Sequence, residues 1–190
     1  MDQLAKKYGK KIRVIHNSAN KGFSGAMKTC YDNANGDIIF LGPADGQFDY
    51  SQIGLFVSEI KNKDFIVAYR AINEEKFYRK INSFAFHLFS RILFGITFKE
   101  FSSCILYTRE VRDSIKIESH PFSCLFLIEL IYKSMQMNYR FGQVPIKFDK
   151  RKGGVAKGSN PKMIIRTLRE MIRFWFDIQV GKVIIPRRSL

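Results

Sequence analysis

Residues 37–49 read DIIFLGPADGQFD: an apolar run from Ile38 to Leu41 leads straight into a turn rich in Gly, Pro and Asp. A short β-branched run bounded by turn formers predicts a strand, with Asp45 and Gln47 at alternate positions just past its end. Upstream, IRVI at residues 12–15 reads as a second short strand, and Ser24 to Asn33 is compatible with a helix between the two. The spacing therefore predicts a β-α-β unit and an α/β fold. In such a fold, ligands bind at the carboxyl ends of parallel strands.

Downstream the same reading gives a helix from Tyr50 to Asn62, a strand at 64–70, an apolar helix from Phe77 to Phe94 and a strand at 101–108. A buried helix follows at 123–136, then a strand at 141–148 in which Pro145 suggests an edge or a bulge. Lys150 to Gly158 is a Gly- and Lys-rich loop. Asn160 as N-cap and Pro161 at the first helical position open a last helix running to about Val180. The chain divides into one domain over residues 1–158 and a basic amphipathic helix and tail over 159–190.

Lys and Arg number 32 against 17 Asp and Glu, a formal charge of +15 that favours polyanions: nucleic acid, an anionic membrane face or a phosphorylated substrate. No RNP-type motif, zinc spacing or helix-turn-helix is present, so nucleic acid is not the expected partner. Cys30, Cys104 and Cys124 form neither a disulfide framework nor a paired zinc motif, and a reducing cytoplasm is the simplest setting. No stretch reaches the ~18 uncharged residues that a spanning helix needs.

Three groups of residues carry chemistry. Asp45 and Gln47 offer two oxygen donors that can hold a divalent cation against a diphosphate, or they belong to an ordinary tight turn. Arg79, Ser83, His87 and Ser90 recur at i+4 or i+3 and form one polar stripe on an otherwise apolar helix. The apolar remainder must meet core or lipid; the alternative is a surface helix with a solvated polar face, and His87 is read as structural. Arg166, Arg169 and Arg173 lie against apolar residues that include Trp175, which suits either an anionic membrane surface or docking on the protein's own sheet.

The succession Asn20-Lys21-Gly22-Phe23-Ser24-Gly25-Ala26, Ala34-Asn35-Gly36-Asp37 and Ala44-Asp45-Gly46-Gln47 resembles the N-x-G-x-x-x-A, A-x-G-D and D-A-D-G-Q motifs of family 2 glycosyltransferases. Downstream, Gln143-Val144-Pro145-Ile146 and Arg151 to Lys157 resemble that family's e-V-P-v strand and R-x-x-G-x-S-K loop. Arg79 to Ser83 followed by LFGITFKEF resembles its polyprenyl-phosphate branch, typified by dolichol-phosphate mannose synthase. The resemblance implies a GT-A fold, that of the nucleotide-diphospho-sugar transferases: Rossmann-like, with a mostly parallel sheet. It implies inverting transfer of a sugar from a nucleotide-diphospho-sugar to a polyprenyl phosphate. Asp45 and Gln47 would hold Mg²⁺ or Mn²⁺, and Asp45, Glu100 and Arg151 would form the catalytic set. Arg70, Arg79, Ser83, Arg151 and Lys157 would bind the donor or acceptor phosphates. The implied location is peripheral, at the cytoplasmic face of the membrane.

The sequence departs from the pattern at Pro43, where the first Asp of D-x-D is usual, at Glu100 in place of Asp, at Cys104 in place of Gly and at Ala156 in place of Ser. The two opening strands that the resemblance implies, ending in P-x-Y-N-E and D-D-G-S type segments, do not occur. The expectation is therefore a fragment lacking the first strands, with a separately encoded N-terminal half as a conceivable partner. Two non-catalytic readings stand beside it: a basic membrane-surface protein and a nucleic-acid-binding module.

Overall fold

Phe65, Ile66, Val67 and Ala68 are apolar without alternation, the pattern of a strand covered on both faces. The computed structural model describes residues 1–71, 77–101, 103–149, 161–183 and 185, and places these four in an inner strand, each 0% exposed. The strands β1 (Ile38–Leu41), β2 (Phe65–Arg70), β3 (Ile105–Thr108) and β4 (Phe141–Ile146) form one sheet in the order β1-β3-β2-β4. Phe65 and Val67 enter one apolar cluster, Ile66 and Ala68 the other. Pro145 lies in β4, an outer strand of this order, where its missing N–H costs no ladder bond on the open side.

Helices cover both faces, as the α/β reading requires. α3 (Ile53–Glu59) brings Phe56 to the cluster beneath one face. Against the other face pack Tyr31 of α2 (Gly22–Asp32), Phe94 of α4 (Phe77–Phe94), Phe126 and Ile131 of α6 (Phe126–Gln136), and Met171 and Phe174 of α7 (Pro161–Gln179). Two further helices among the described residues are short: α1 (Asp2–Tyr8), and α5 (Arg109–Ser114), which the Thr108 side chain caps. The six residues of α5 carry no apolar period that sequence reading could detect.

Two expectations are corrected. β1, β2 and β4 run in one direction, yet β3 lies between β1 and β2 and pairs antiparallel with both, so the sheet is mixed rather than mostly parallel in its pairings. Residues 12–15 form no strand. Ile12 is extended (φ −125°, ψ 120°), but no strand among the described residues lies beside it to complete a ladder, and the expected β-α-β unit does not form there.

The Asn20–Ala26 motif has a packing role. Asn20 Oδ1 accepts from Gly22 N at 2.8 Å, and Ser24 Oγ donates to Ser123 O at 2.8 Å. Gly22 has φ +69°, and a Cβ there would stand 2.7 Å from Phe122 Cα. A Gly22→Ala variant should therefore lose more than about 2 kcal/mol of stability, from left-handed backbone strain plus overpacking, as read by urea unfolding.

α4 turns Ser83, His87 and Ser90 inward. Ser90 is fully buried and donates to Phe86 O at 2.8 Å, and both ring nitrogens of His87 are buried without a hydrogen-bond partner. The His87 ring meets the Phe101 ring edge-on at 4.8 Å. Burial is the main cause holding its pKa below the usual 6.5; Glu100 opposes this, and Arg70 and Arg91 reinforce it. The unfolded chain thus takes up a proton that the folded chain resists, and stability falls as pH drops below about 6.5. A His87→Phe variant should change stability at neutral pH by less than about 1 kcal/mol and lose less of it between pH 6.5 and 5, as read by thermal unfolding.

Candidate functional site

Because β1, β2 and β4 share a direction, their carboxyl ends meet at one edge of the sheet, where β3 begins. The turn after β1 carries Asp45, which is exposed and whose Oδ1 accepts from Gln47 N at 3.2 Å. Gln47 Nε2 donates to Asp149 O at 3.1 Å, and Asp149 N donates back to Gln47 O at 2.8 Å. A bridge between Phe48 and Phe148 and a 2.8 Å bond from Lys147 N to Gln52 Oε1 extend this seam. The turn bearing Asp45 is thereby tied to the segment after β4.

Arg70 ends β2 and is clamped by Glu100. The Glu100 carboxylate accepts from Arg70 N at 2.9 Å, from Arg70 Nε at 2.8 Å and from Ser103 Oγ at 3.0 Å, and a second guanidinium nitrogen of Arg70 approaches to 2.6 Å. Burial alone would raise the Glu100 pKa. The bonds from the Arg70 side chain and backbone, with that from Ser103, outweigh it and hold the carboxyl below its usual range. Glu100 is therefore an ionised anchor at neutral pH rather than a proton donor. The guanidinium lies 5.7 Å from the Phe148 ring centroid, a cation–π contact. Cys104 is buried, and desolvation pushes its thiol up to about 12, so it is no nucleophile.

The structure brings Asp45, Gln47, Arg70 and Glu100 to this edge; Cys104, between them, senses the charges of both Glu100 and Asp45. Ser83 is half-buried on α4, one turn before His87, which senses Glu100 and Arg70. Arg79 lies in the first turn of the same helix. Arg151 and Lys157 lie outside the described residues, as does the Asn160 cap.

Among the described residues no three His, Cys, Asp or Glu side chains gather into a metal cage. The donors that Asp45 and Gln47 present instead fit an ion such as Mg²⁺, which binds through one or two carboxylates and takes its remaining ligands from substrate phosphates and water. Pro43, at the position of the usual first Asp, lines a small apolar cavity with Phe23, Met27, Leu41 and Cys104. Ser103, Phe148 and Asp149 belong to the site although sequence reading did not single them out. Ser103 stands three residues from the carboxylate it contacts, but the partners of Phe148 and Asp149 are about a hundred residues away in sequence, and no local signal marks them.

Residues 1–125 match the family described as glycosyl transferase family 2. The chain is also 25% identical over 191 residues to a dolichyl-phosphate beta-glucosyltransferase of Trichomonas vaginalis (strain ATCC PRA-98 / G3). That match covers 93% of this chain and 58% of the relative, so the chain spans somewhat over half of the relative's length. The family match takes in the Asn20–Ala26 motif, the Asp45 turn and the Arg70–Glu100 clamp together, and the chain belongs to glycosyl transferase family 2.

Proposed function

We propose that this chain serves the transfer of a sugar from a nucleotide-diphospho-sugar to a polyprenyl phosphate at the cytoplasmic face of a membrane. The observation that carries the reading is the convergence of Asp45 and the Arg70–Glu100 clamp on one strand-end edge, within a family whose relative is named for dolichyl-phosphate glucosylation. A phosphate monoester, with a second pKa near ~6, is already an anionic nucleophile at neutral pH. Its oxygen forms the bond to the anomeric carbon as the bond to the departing nucleoside diphosphate breaks, and no strong general base is required. The site's task is to hold two anions together and in line.

Arg70, fixed in orientation by Glu100, presents its charge at the carboxyl edge of β2. Arg79 and Ser83 on α4, with Arg151 and Lys157 of the loop after β4, are assigned to the phosphates. Asp45 and Gln47 are assigned to Mg²⁺ or Mn²⁺, which when bound would offset charge on the leaving diphosphate. Inversion at the anomeric carbon follows from the family reading. The basic face of α7 is assigned to an anionic membrane surface; no helix among the described residues is long and apolar enough to cross a bilayer.

Asp45→Ala should lower transfer by more than tenfold, about 1.4 kcal/mol of barrier, in assays with labelled nucleotide-sugar and Mg²⁺ or Mn²⁺. Its stability should stay within about 0.5 kcal/mol of wild type because the residue is exposed. Near wild-type transfer would sink the assignment. Glu100→Gln should cost about 1–3 kcal/mol in thermal unfolding, by leaving a charged partner poorly matched, and should reduce transfer as well. Glu100→Asp, which keeps the charge, should recover part of both.

A further inference from the structure

Two of the positions that depart from the family pattern, Pro43 and Cys104, line one cavity at the carboxyl edge of the sheet. Phe23 and Met27 of α2, Leu41 at the end of β1 and Leu127 of α6 supply most of its remaining wall. Where the pattern has a carboxylate, Pro43 presents an apolar ring; where it has glycine, Cys104 adds a buried side chain with a neutral thiol. Both changes act in one direction. They make the recess two residues before Asp45 apolar.

The polar groups of the wall are already engaged. Among the described residues Ser103 is the one lining side chain that bears a hydroxyl, and none bears a charge. Ser103 Oγ donates its proton to Glu100 at 3.0 Å, so the oxygen is left to accept. The Pro43 carbonyl accepts from Tyr50 Oη at 2.8 Å, and the Cys104 carbonyl accepts from Ala68 N at 2.9 Å. A sugar hydroxyl pushed into this cavity would surrender its bonds to water and find Ser103 Oγ as its one side-chain partner. An apolar group gains by entering.

Size and position narrow the occupant. The cavity measures about 130 Å³, and an apolar cavity of about 150 Å³ holds a group the size of benzene. A hexose ring with its hydroxyls, or a nucleobase, is too large, whereas a substituent on the sugar fits. No described residue of α4, to which the acceptor phosphate is assigned, lines the cavity, while Pro43 adjoins the turn assigned to the metal at the donor diphosphate. The entering group is therefore carried by the donor. A bare methyl, as on a deoxy sugar, would leave most of the space without contacts and Ser103 Oγ unused.

We infer that the sugar this chain transfers carries an N-acyl group, as an N-acetylhexosamine does, and that this cavity selects it. The acetyl methyl enters between Phe23, Met27, Leu41 and Leu127, and the amide N–H donates to Ser103 Oγ, which links the bound sugar to the Arg70–Glu100 clamp. The inference rests on the proposed nucleotide-sugar donor and names its class of sugar. It sets this chain apart from the relative named for glucosyl transfer.

Saturation-transfer NMR on the full chain with Mg²⁺ tests it, using UDP-N-acetylglucosamine against UDP-glucose, and the base-free pair N-acetylglucosamine 1-phosphate against glucose 1-phosphate. Within each pair the acetamido ligand should bind about tenfold more tightly or better, with its acetyl methyl protons the most strongly saturated. Leu127→Phe, which fills the cavity, should bring that ratio to within about twofold of one. Pro43→Asp, in the turn and clear of the core, should lower it in the same direction. Equal or tighter binding of the glucose ligands by wild type would overturn the inference and leave the transfer reading standing, as would a ratio unchanged in both variants. A Leu127→Phe variant that keeps the ratio but loses binding of a short, water-soluble polyprenyl phosphate would also overturn it, because the acceptor's first isoprene would then fill the cavity. Absence of binding by all four ligands would count against the donor reading itself, and the inference would fall with it.

Discussion

β3 runs against both of its neighbours, and the rest of the site depends on that placement. Lying between β1 and β2, it leaves those strands parallel to each other and brings their carboxyl ends to a single edge. Its own start lies at that same edge, so the residues just before it are delivered to the ends of β1 and β2. Glu100 reaches Arg70 for this reason, and Cys104 O accepts from Ala68 N at 2.9 Å. A fourth strand running with its neighbours would have carried those residues to the opposite edge.

The clamp that results holds one cation in a fixed orientation within a strongly basic protein. An arginine at a strand end has rotamer freedom that would have to be lost on binding a phosphate. Glu100 fixes it beforehand through both the backbone N–H and the guanidinium, and Ser103 fixes Glu100 in turn. The carboxylate offsets part of the charge that Arg70 presents, so the clamp exchanges raw electrostatic attraction for orientation. The excess of lysine and arginine elsewhere in the chain makes that exchange tolerable.

α4 connects this edge to the outer surface. Its inner face brings His87 against Phe101 and within electrostatic range of Glu100 and Arg70, and its outer face is a bare apolar ridge. The placement of His87, with both ring nitrogens unpaired in the interior, is a destabilising feature next to the candidate site, where such costs recur in functional proteins.

The sequence by itself determined the α/β class, the extents of β1, β2, α4 and α6 to within a few residues, and the position of Asp45 past a strand end. These depend on local period and turn chemistry, which neighbours in the chain dictate. The order of motifs carried the family for the same reason, since a succession is written along the chain. Tertiary structure alone decided the direction of β3, the failure of residues 12–15 to pair, the contacts of Phe148 and Asp149, and which side of α4 faces in. A strand's direction and its partners depend on long-range hydrogen bonding, and a helix with a polar stripe has the same period whichever face is buried. What lies against it settles the matter, and that is a property of packing and not of the chain's local pattern.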